Sequence, residues 1–543
     1  MKYIKKYWFI ISIVFIILLR FLYSYKIPSF YLGGMQYDDE LMLFQGQSLK
    51  SGNYLGAYNS TTLIKGIVFP LVLAFSNITK ISYSSLFTIL YISACLYFVL
   101  SLKKIINNKT FILITFILLL FNPISYSSDL FQRLYRNSIS IIELLFLLGT
   151  IIRIIDNKNY DNKAIIDYFI LGVIMSLMFL TREDNIWTIP ILITLFIYKL
   201  YKNVKIKNII INLIPAIVLV ISLNIVSAIN YNHYGIYTYN ELKDSSFKDA
   251  YLNILRIKED KKKDKVVVNK TTWYKIIEQT DILGLDKEYI DEKYRKLENK
   301  QGEIDAGKTV WYFRNWIHTT HNFKNGKEAN KYYKELNKEL EKLFKEKKLE
   351  KENIIPSIFI STPRVKDIEK IPSSMIEAIY YTSSYKNIRT VDEFKITKKV
   401  ISAFYDKTER AYRLFYSDYR NTDVMYSGNP LKYEIFRLIY KYLTIILSLV
   451  SLVIYFMNIK KLDKLGIIIN LLLISYFIIL GGVVYTHITA YHAIRYMYLG
   501  NVYILQELFI ILNIYRIYEN KKLKELEEKK ELKKKKKKKK KRK

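Results

Sequence analysis

Three consecutive carboxylates, Asp38, Asp39 and Glu40, follow the first apolar run of the chain. Carboxylates in that position can deprotonate a hydroxyl group or hold a divalent cation. Arginine and lysine, the side chains that recognise phosphate, interrupt later apolar segments in two places. One holds Asp129, Arg133, Arg136, Ser140 and Glu143; the other is the run of Thr181, Arg182, Glu183, Asp184 and Asn185. At roughly 100° per residue the first five would share a narrow helical stripe and carry a polar ridge into an apolar segment. Lys65, His492 and Arg495 complete the set. Acids that can activate a hydroxyl, beside cations that can hold a phosphate, point to group transfer from a phosphate-bearing substrate. Because neighbours on a helix point apart, one of Asp38 and Asp39 is expected to act and the other to orient; Asp38 is favoured.

The elements that must position these residues are membrane spans. Of 543 residues 51% are hydrophobic, yet 24% are charged and the net charge is +35. With a mean hydropathy of +0.06, both figures hold only if apolar and charged residues are segregated, which excludes a soluble globular chain and a mainly disordered one. Ten spans are expected, each close to the ~20 residues a bilayer requires. They are Tyr7 to Tyr25, Tyr83 to Leu102, Thr110 to Tyr126, Ser138 to Ile155, Ala164 to Leu180, Ile186 to Leu200, Ile209 to Ile229, Leu438 to Met457, Leu465 to Tyr485 and Tyr496 to Tyr515. The first has the layout of a signal sequence without a small-residue cleavage site, so it reads as uncleaved. Gly66 to Ile78 is short and carries Pro70, which suits an interfacial helix.

Loop charges orient the bundle. With the amino terminus inside, the loops rich in lysine (Lys103, Lys104 and Lys109; Lys199, Lys202, Lys205 and Lys207; Lys460, Lys461 and Lys464) all fall on the cytoplasmic side, as the positive-inside rule requires. Both termini are then cytoplasmic, in a multi-pass protein of the cell membrane. The acidic run 38–40, the turn before Ser138, the run 181–185 and the segment His487 to Arg495 all fall on the opposite face. The expected organisation is seven spans over 1–230 with a first outer loop at 26–82, an extracytoplasmic domain over 231–432, three spans over 433–518 and a basic tail over 519–543. Lys and Glu between Tyr332 and Glu352 favour helix. The runs Val266 to Val268 and Ser357 to Ser361 favour short strands, so the outer domain is expected to be mixed α+β.

The residues Tyr37 to Leu41, Gly52 to Gly66 and Phe69 to Leu71 resemble the first outer loop of GT-C glycosyltransferases, the superfamily of protein O-mannosyltransferases and aminoarabinose transferases. With Thr181 to Asn185, Asn232 to Leu242 and Gly302 to Trp316, the chain more closely resembles uncharacterised bacterial integral membrane proteins of this type. The resemblance implies a GT-C-like helical bundle and inverting transfer of a sugar. An acid of the first outer loop, matching Asp38 or Asp39, would be base or metal contact, with Glu40 beside it. The donor would be a sugar on a polyprenyl phosphate, held by Lys65, Arg133, Arg136, Arg182 and Arg495. Asp129, Glu143, Glu183, Asp184 and His492 would support the site. The acceptor would be an extracytoplasmic glycan, lipid or protein. A domain after the seventh span also resembles the O-mannosyltransferase layout, although this one does not read as a β-trefoil.

Other readings compete. A polysaccharide polymerase or ligase would also use lipid-linked sugars and a large outer loop, and would depend more on outer Arg and His. A transporter would show paired halves and broken helices, which are not apparent; a non-catalytic scaffold would tolerate neutral substitutions. No cofactor is required by the sequence beyond the lipid-linked sugar, and a divalent cation is an open alternative: His318 with His321 is an i, i+3 pair without further ligands, and His487 with His492 lacks zinc spacing. Glu143 and Glu507 lie inside expected spans, where a carboxylate needs a partner; an arginine across the bundle is expected for Glu143. The tail Lys521 to Lys543, with 16 basic and 4 acidic residues, could contact anionic membrane lipids or be low-complexity drift. The basic excess as a whole is a topology signal and not a nucleic-acid footprint.

Overall fold

The computed structural model describes residues 2–24, 37–157, 159–202, 204–283, 292, 294–354, 356–386, 388 and 430–541. Among them eight helices are long and apolar enough to cross a membrane. They belong to α1 (Lys2–Ser24), α4 (Tyr83–Leu102), α5 (Lys109–Leu120, continued by a 3₁₀ turn to Tyr126), α6 (Asn137–Asp156), α7 (Asn162–Thr181), α9 (Ile206–Tyr234), α15 (Pro430–Asn458) and α16 (Lys464–Thr489). Side chains fix several of their starts: Ser82, Asn108, Asp161 and Asp463 each accept a hydrogen bond from a first-turn amide, pairing donors that a helix leaves open. The helix α9 ends at Gly235, whose φ of 73° suits glycine.

Two of the ten expected spans fall short of that count by length or polarity, yet both run the depth of the bundle. The sixth is α8 (Thr188–Lys202), 15 residues after a 3₁₀ turn. At its start the Asn185 side chain donates to the Met178 carbonyl (2.7 Å), at the far end of α7. Near its end Lys199 donates to the carbonyls of Ile154 (3.0 Å) and Asn157 (2.6 Å), at the far end of α6. The antiparallel helices α6 and α7 place those two points at opposite ends. The tenth is α17 (Gly500–Lys541), a single helix that continues into the basic tail. Asn501 bonds Ser140 (3.0 Å) near the start of α6, and Arg516 pairs with Asp463 in the turn before α16.

The basic loops meet at one end of the bundle. Lys103 lies over the Phe9 ring, Lys464 pairs with Asp156 (2.6 Å) and Lys461 bonds Asn520 (2.8 Å). At the other end, α2 (Asp39–Lys50) and α3 (Val68–Thr79) pack on each other between the first and second spans. They meet closely at Gly46, where a Cβ would stand 2.9 Å from that of Leu73. The segment expected to be interfacial is thus a 12-residue helix.

The region after α9 departs from expectation. Its longer helices are α10 (Ser246–Ile254), α11 (Lys270–Gln279), α12 (Ala306–His321), α13 (Gly326–Lys345) and α14 (Ile371–Ser384). No strand occurs among the described residues, only isolated bridges, so the expected mixed α+β domain is helical there. Val266 to Val268 is an irregular link, and Ser357 to Ser361 folds back on itself through a Ser357–Ile360 bridge. Runs so short have no sheet face to bury. The core is built instead from aromatic residues on helices: Phe247, Tyr251, Trp273, Phe313, Trp316 and Tyr333 are all buried. Nor does the whole of 231–432 stand apart from the bundle. Ile371, Met375 and Ile379 recur every fourth residue along α14 and join the core. Beyond them Tyr385 packs on Tyr440 and Tyr503, and Thr382 meets Tyr476.

Candidate active site

The acid and basic residues converge because three chain breaks bring them to one end of the bundle. The first is the start of α2, with Asp38 just before the helix and Asp39 in its first turn. The second lies between α5 and α6, where residues 128–132 form a wide π turn and the chain bends before Asn137. Only Ser140 and Glu143 are therefore on α6; Arg133 and Arg136 precede it, and the expected five-residue helical stripe does not form. A π turn is a frequent means of re-aiming side chains at functional sites. The side chain of Asp129 lies outside the described residues. The third break is the end of α7, where Arg182 leaves the helix.

Between these, Lys65 is set by a loop that tolerates little change. A Cβ on Gly66 would stand 1.8 Å from the Leu180 carbonyl oxygen, so only glycine lets the loop rest on the end of α7. The carbonyls leading to Lys65 are held from the region after α9. Arg314 donates to those of Ser60 (2.7 Å) and Thr62 (3.1 Å), the Glu241 amide to that of Leu63 (2.9 Å) and Asn240 to that of Ile64 (3.3 Å). Arg314 and Glu241 are themselves a fully buried ion pair, and Tyr58 donates to Glu241 (2.8 Å).

Four cations meet four carboxylates here. Lys65 bonds Asp38 at 3.1 Å. Arg133 clasps Asp39 through Nε, 3.0 and 2.9 Å from its two oxygens, and through Nη2. Arg136 sets Nη1 and Nη2 on the oxygens of Glu183 (2.6 and 3.0 Å), and Arg182 spans both oxygens of Asp184 while also bonding Asn137. Asp39 is 0% exposed and the Asp38 side chain 34%, so the two neighbours divide as orienting and solvent-facing groups. Glu40 follows, half-buried, on the same turn.

Tyr135, which sequence reasoning passed over, is central. Its hydroxyl donates to Asp38 Oδ1 (2.7 Å) and accepts from Lys65 and Arg136 (3.4 Å each). Arg133 and Arg136 lie 4.8 and 5.7 Å from its ring centre, within cation–π range. Its place between two arginines was the available signal. Trp311 on α12 was another omission; it stacks on Tyr37 (5.0 Å) and lies 5.7 Å from the Lys65 ammonium.

The pairing governs protonation. Burial alone would raise the Asp38 pKa, but the Lys65 charge and the hydrogen bonds from Tyr135 and Lys65 outweigh it and hold it at about 2. Glu183 behaves alike: burial raises it, Arg136 overrides, and the result is about 2. Asp184, whose side chain is more than half exposed, is lowered by the charge and the hydrogen bonds of Arg182. Lys65 remains a cation, because Tyr135 and Asp38 oppose the effects of burial and of Arg136.

Three expected members lie elsewhere. Arg495 is exposed, its guanidinium over the Tyr491 ring (5.0 Å). His492 is exposed and 3.5 Å from Asp305, which precedes α12. Glu143 bonds the Thr181 hydroxyl and not the arginine expected across the bundle. Glu507 finds a partner in Asn122 (2.6 Å). Among the described residues no group of three or more His, Cys, Asp or Glu could hold a metal ion. Asp38 and Asp39 are paired with Lys65 and Arg133, and no step is routed through a divalent cation.

No family model and no curated protein matches the chain. Among solved structures it is similar to the archaeal oligosaccharyltransferase AglB from Archaeoglobus fulgidus, in complex with an inhibitory peptide and a dolichol-phosphate. Identity is 12% and the TM-score 0.44, over 97% of this chain and 52% of that one. The chain spans about half the length of that protein.

Proposed function

We propose that this chain is a GT-C-type membrane glycosyltransferase that moves a sugar from a polyprenyl-phosphate carrier to a hydroxyl acceptor at the end of the bundle where the charged residues meet. The observation that carries the reading is Asp38: a partly exposed carboxylate, bonded through one oxygen to Lys65 and Tyr135, with Arg133 and Arg136 packed on the Tyr135 ring. Carboxylate and cations are the two components that such a transfer needs, a group to accept a proton and charge to hold a leaving phosphate.

In this scheme the donor phosphate lies against Lys65, with Arg136 and Arg182 behind it, and the isoprenoid chain extends along the apolar helices. The acceptor hydroxyl gives its proton to Asp38, and its oxygen forms a bond to the anomeric carbon from the face opposite the phosphate. The bond from that carbon to the phosphate oxygen breaks, and the electron pair leaves with the polyprenyl phosphate. Lys65 balances the charge on the departing oxygen. Asp38 then returns its proton to solvent. Asp39 keeps Arg133 and the start of α2 in place.

Replacement of Asp38 by Asn tests the scheme in cells. Transfer of the sugar is expected to be lost while membrane insertion, read by fractionation and protease accessibility, is retained. Full transfer by both Asp38→Asn and Asp39→Asn would remove the acid from the mechanism.

A further inference from the structure

The four ion pairs of the site are not alike. Arg133, Arg136 and Arg182 each engage both oxygens of their carboxylate, and such forked pairs are saturated toward the partner they hold. Lys65 makes a single bond to one oxygen of Asp38 and a longer one to Tyr135. An ammonium is a point charge with three rotatable donors, and it can change partners without giving up a planar fit. Its carboxylate is also the one of the four placed for reaction. Both hydrogen bonds to Asp38, from Tyr135 and Lys65, fall on Oδ1. Oδ2 accepts none among the described residues, and the side chain is about one-third exposed.

We propose that Lys65 holds Asp38 idle and that a phosphate ester entering the site takes Lys65 from it, so that donor binding switches on the base, while Tyr135 is the positioning residue that keeps Oδ1 and leaves Oδ2 for the acceptor. This rests on the functional reading above and adds an order to it: phosphate first, acceptor activation second. A carboxylate bonded to an ammonium is a weak base. Once Lys65 turns to the phosphate, the charge that suppressed the basicity of Asp38 is neutralised by the new partner, and Tyr135 alone remains on Oδ1. A site with no donor would then not activate water at the acceptor position.

Competition for one ammonium has a counter-intuitive consequence: removing the acid strengthens phosphate binding. The test is calorimetric titration of the full-length chain in detergent micelles with farnesyl monophosphate. The expected results are affinity about tenfold tighter in Asp38→Asn, at least tenfold weaker in Lys65→Met, and within about threefold of wild type in Glu40→Gln, which removes an equal charge from the same turn. Infrared difference spectra on adding the probe should show a shifted carboxylate band that is absent in Asp38→Asn and altered in Tyr135→Phe. Unchanged or weaker affinity in Asp38→Asn, or an equal gain in Glu40→Gln, would overturn the exchange while leaving the functional reading standing. Saturable binding in neither wild type nor Asp38→Asn would overturn both. Asp38→Ala serves as a second variant if Asp38→Asn is not monodisperse.

Discussion

Removing one partner of the Asp39–Arg133 pair should cost far more than removing one of the Lys65–Asp38 pair. Asp39 is 0% exposed and the Arg133 side chain 5%, and the guanidinium reaches both carboxylate oxygens. Asp39→Asn leaves a buried guanidinium with no counter-charge, for which the cost is about 3–5 kcal/mol. In Asp38→Asn the buried Lys65 keeps its contact with Tyr135, and what is lost is a single hydrogen bond to a carboxylate whose side chain is about one-third exposed, worth about 1.5–3 kcal/mol. The apolar double variant Asp39→Leu with Arg133→Met removes both charges together and should recover most of the stability lost in Asp39→Asn, since buried pairs exchange for apolar ones at little net cost. The assay is thermal unfolding of detergent-solubilised protein followed by size-exclusion chromatography, with wild type and the three variants in one detergent. Asp39→Asn melting with or above Asp38→Asn, or a double variant less stable than Asp39→Asn, would refute this order.

Two further outcomes follow from the same geometry. Gly66→Ala forces a Cβ onto the Leu180 carbonyl, so the Lys65 loop must lift; transfer should fall at least tenfold with expression little changed, whereas normal transfer would show that the loop does not set Lys65. The stability that Asp38 adds should also depend on pH in one direction. Its folded pKa of about 2 lies below its ordinary value of 3.8, so the contribution is complete above about pH 4 and is lost as pH falls toward 2. The melting difference between wild type and Asp38→Asn should be constant from pH 5 to 7.5 and shrink below 4; a difference that grows on acidification would have the wrong sign.

The bundle was legible in the sequence because span length and the side on which lysines fall are both set by the bilayer. Parity correctly brought Asp38, Arg133, Arg136 and Arg182 to one end, although they lie up to 144 positions apart. The pairing among them was not legible, since it depends on backbone breaks that periodicity does not report. A helix drawn straight through 129–143 puts five polar residues in a stripe; the π turn at 128–132 turns two arginines toward different acids instead. Tyr135 was missed for the same reason, and because tyrosine is abundant, with 48 in the chain. The region after α9 misled through its β-branched runs, which are too short to bury a sheet face, while the aromatic residues that form its core are spread over four helices. Arg495 and His492 shared the right face by parity but lie outside the ion-pair cluster, a distinction that needs the position of the loop before α17.

The claim that this chain moves a sugar from a polyprenyl-phosphate carrier is tested most directly by mass spectrometry of extracted lipids and surface glycans from cells with the intact gene, a deletion, and Asp38→Asn in its place. The account predicts that the deletion and Asp38→Asn both lose the same surface glycan species and accumulate the same polyprenyl-phosphate sugar. Unchanged lipids and glycans in the deletion would contradict it.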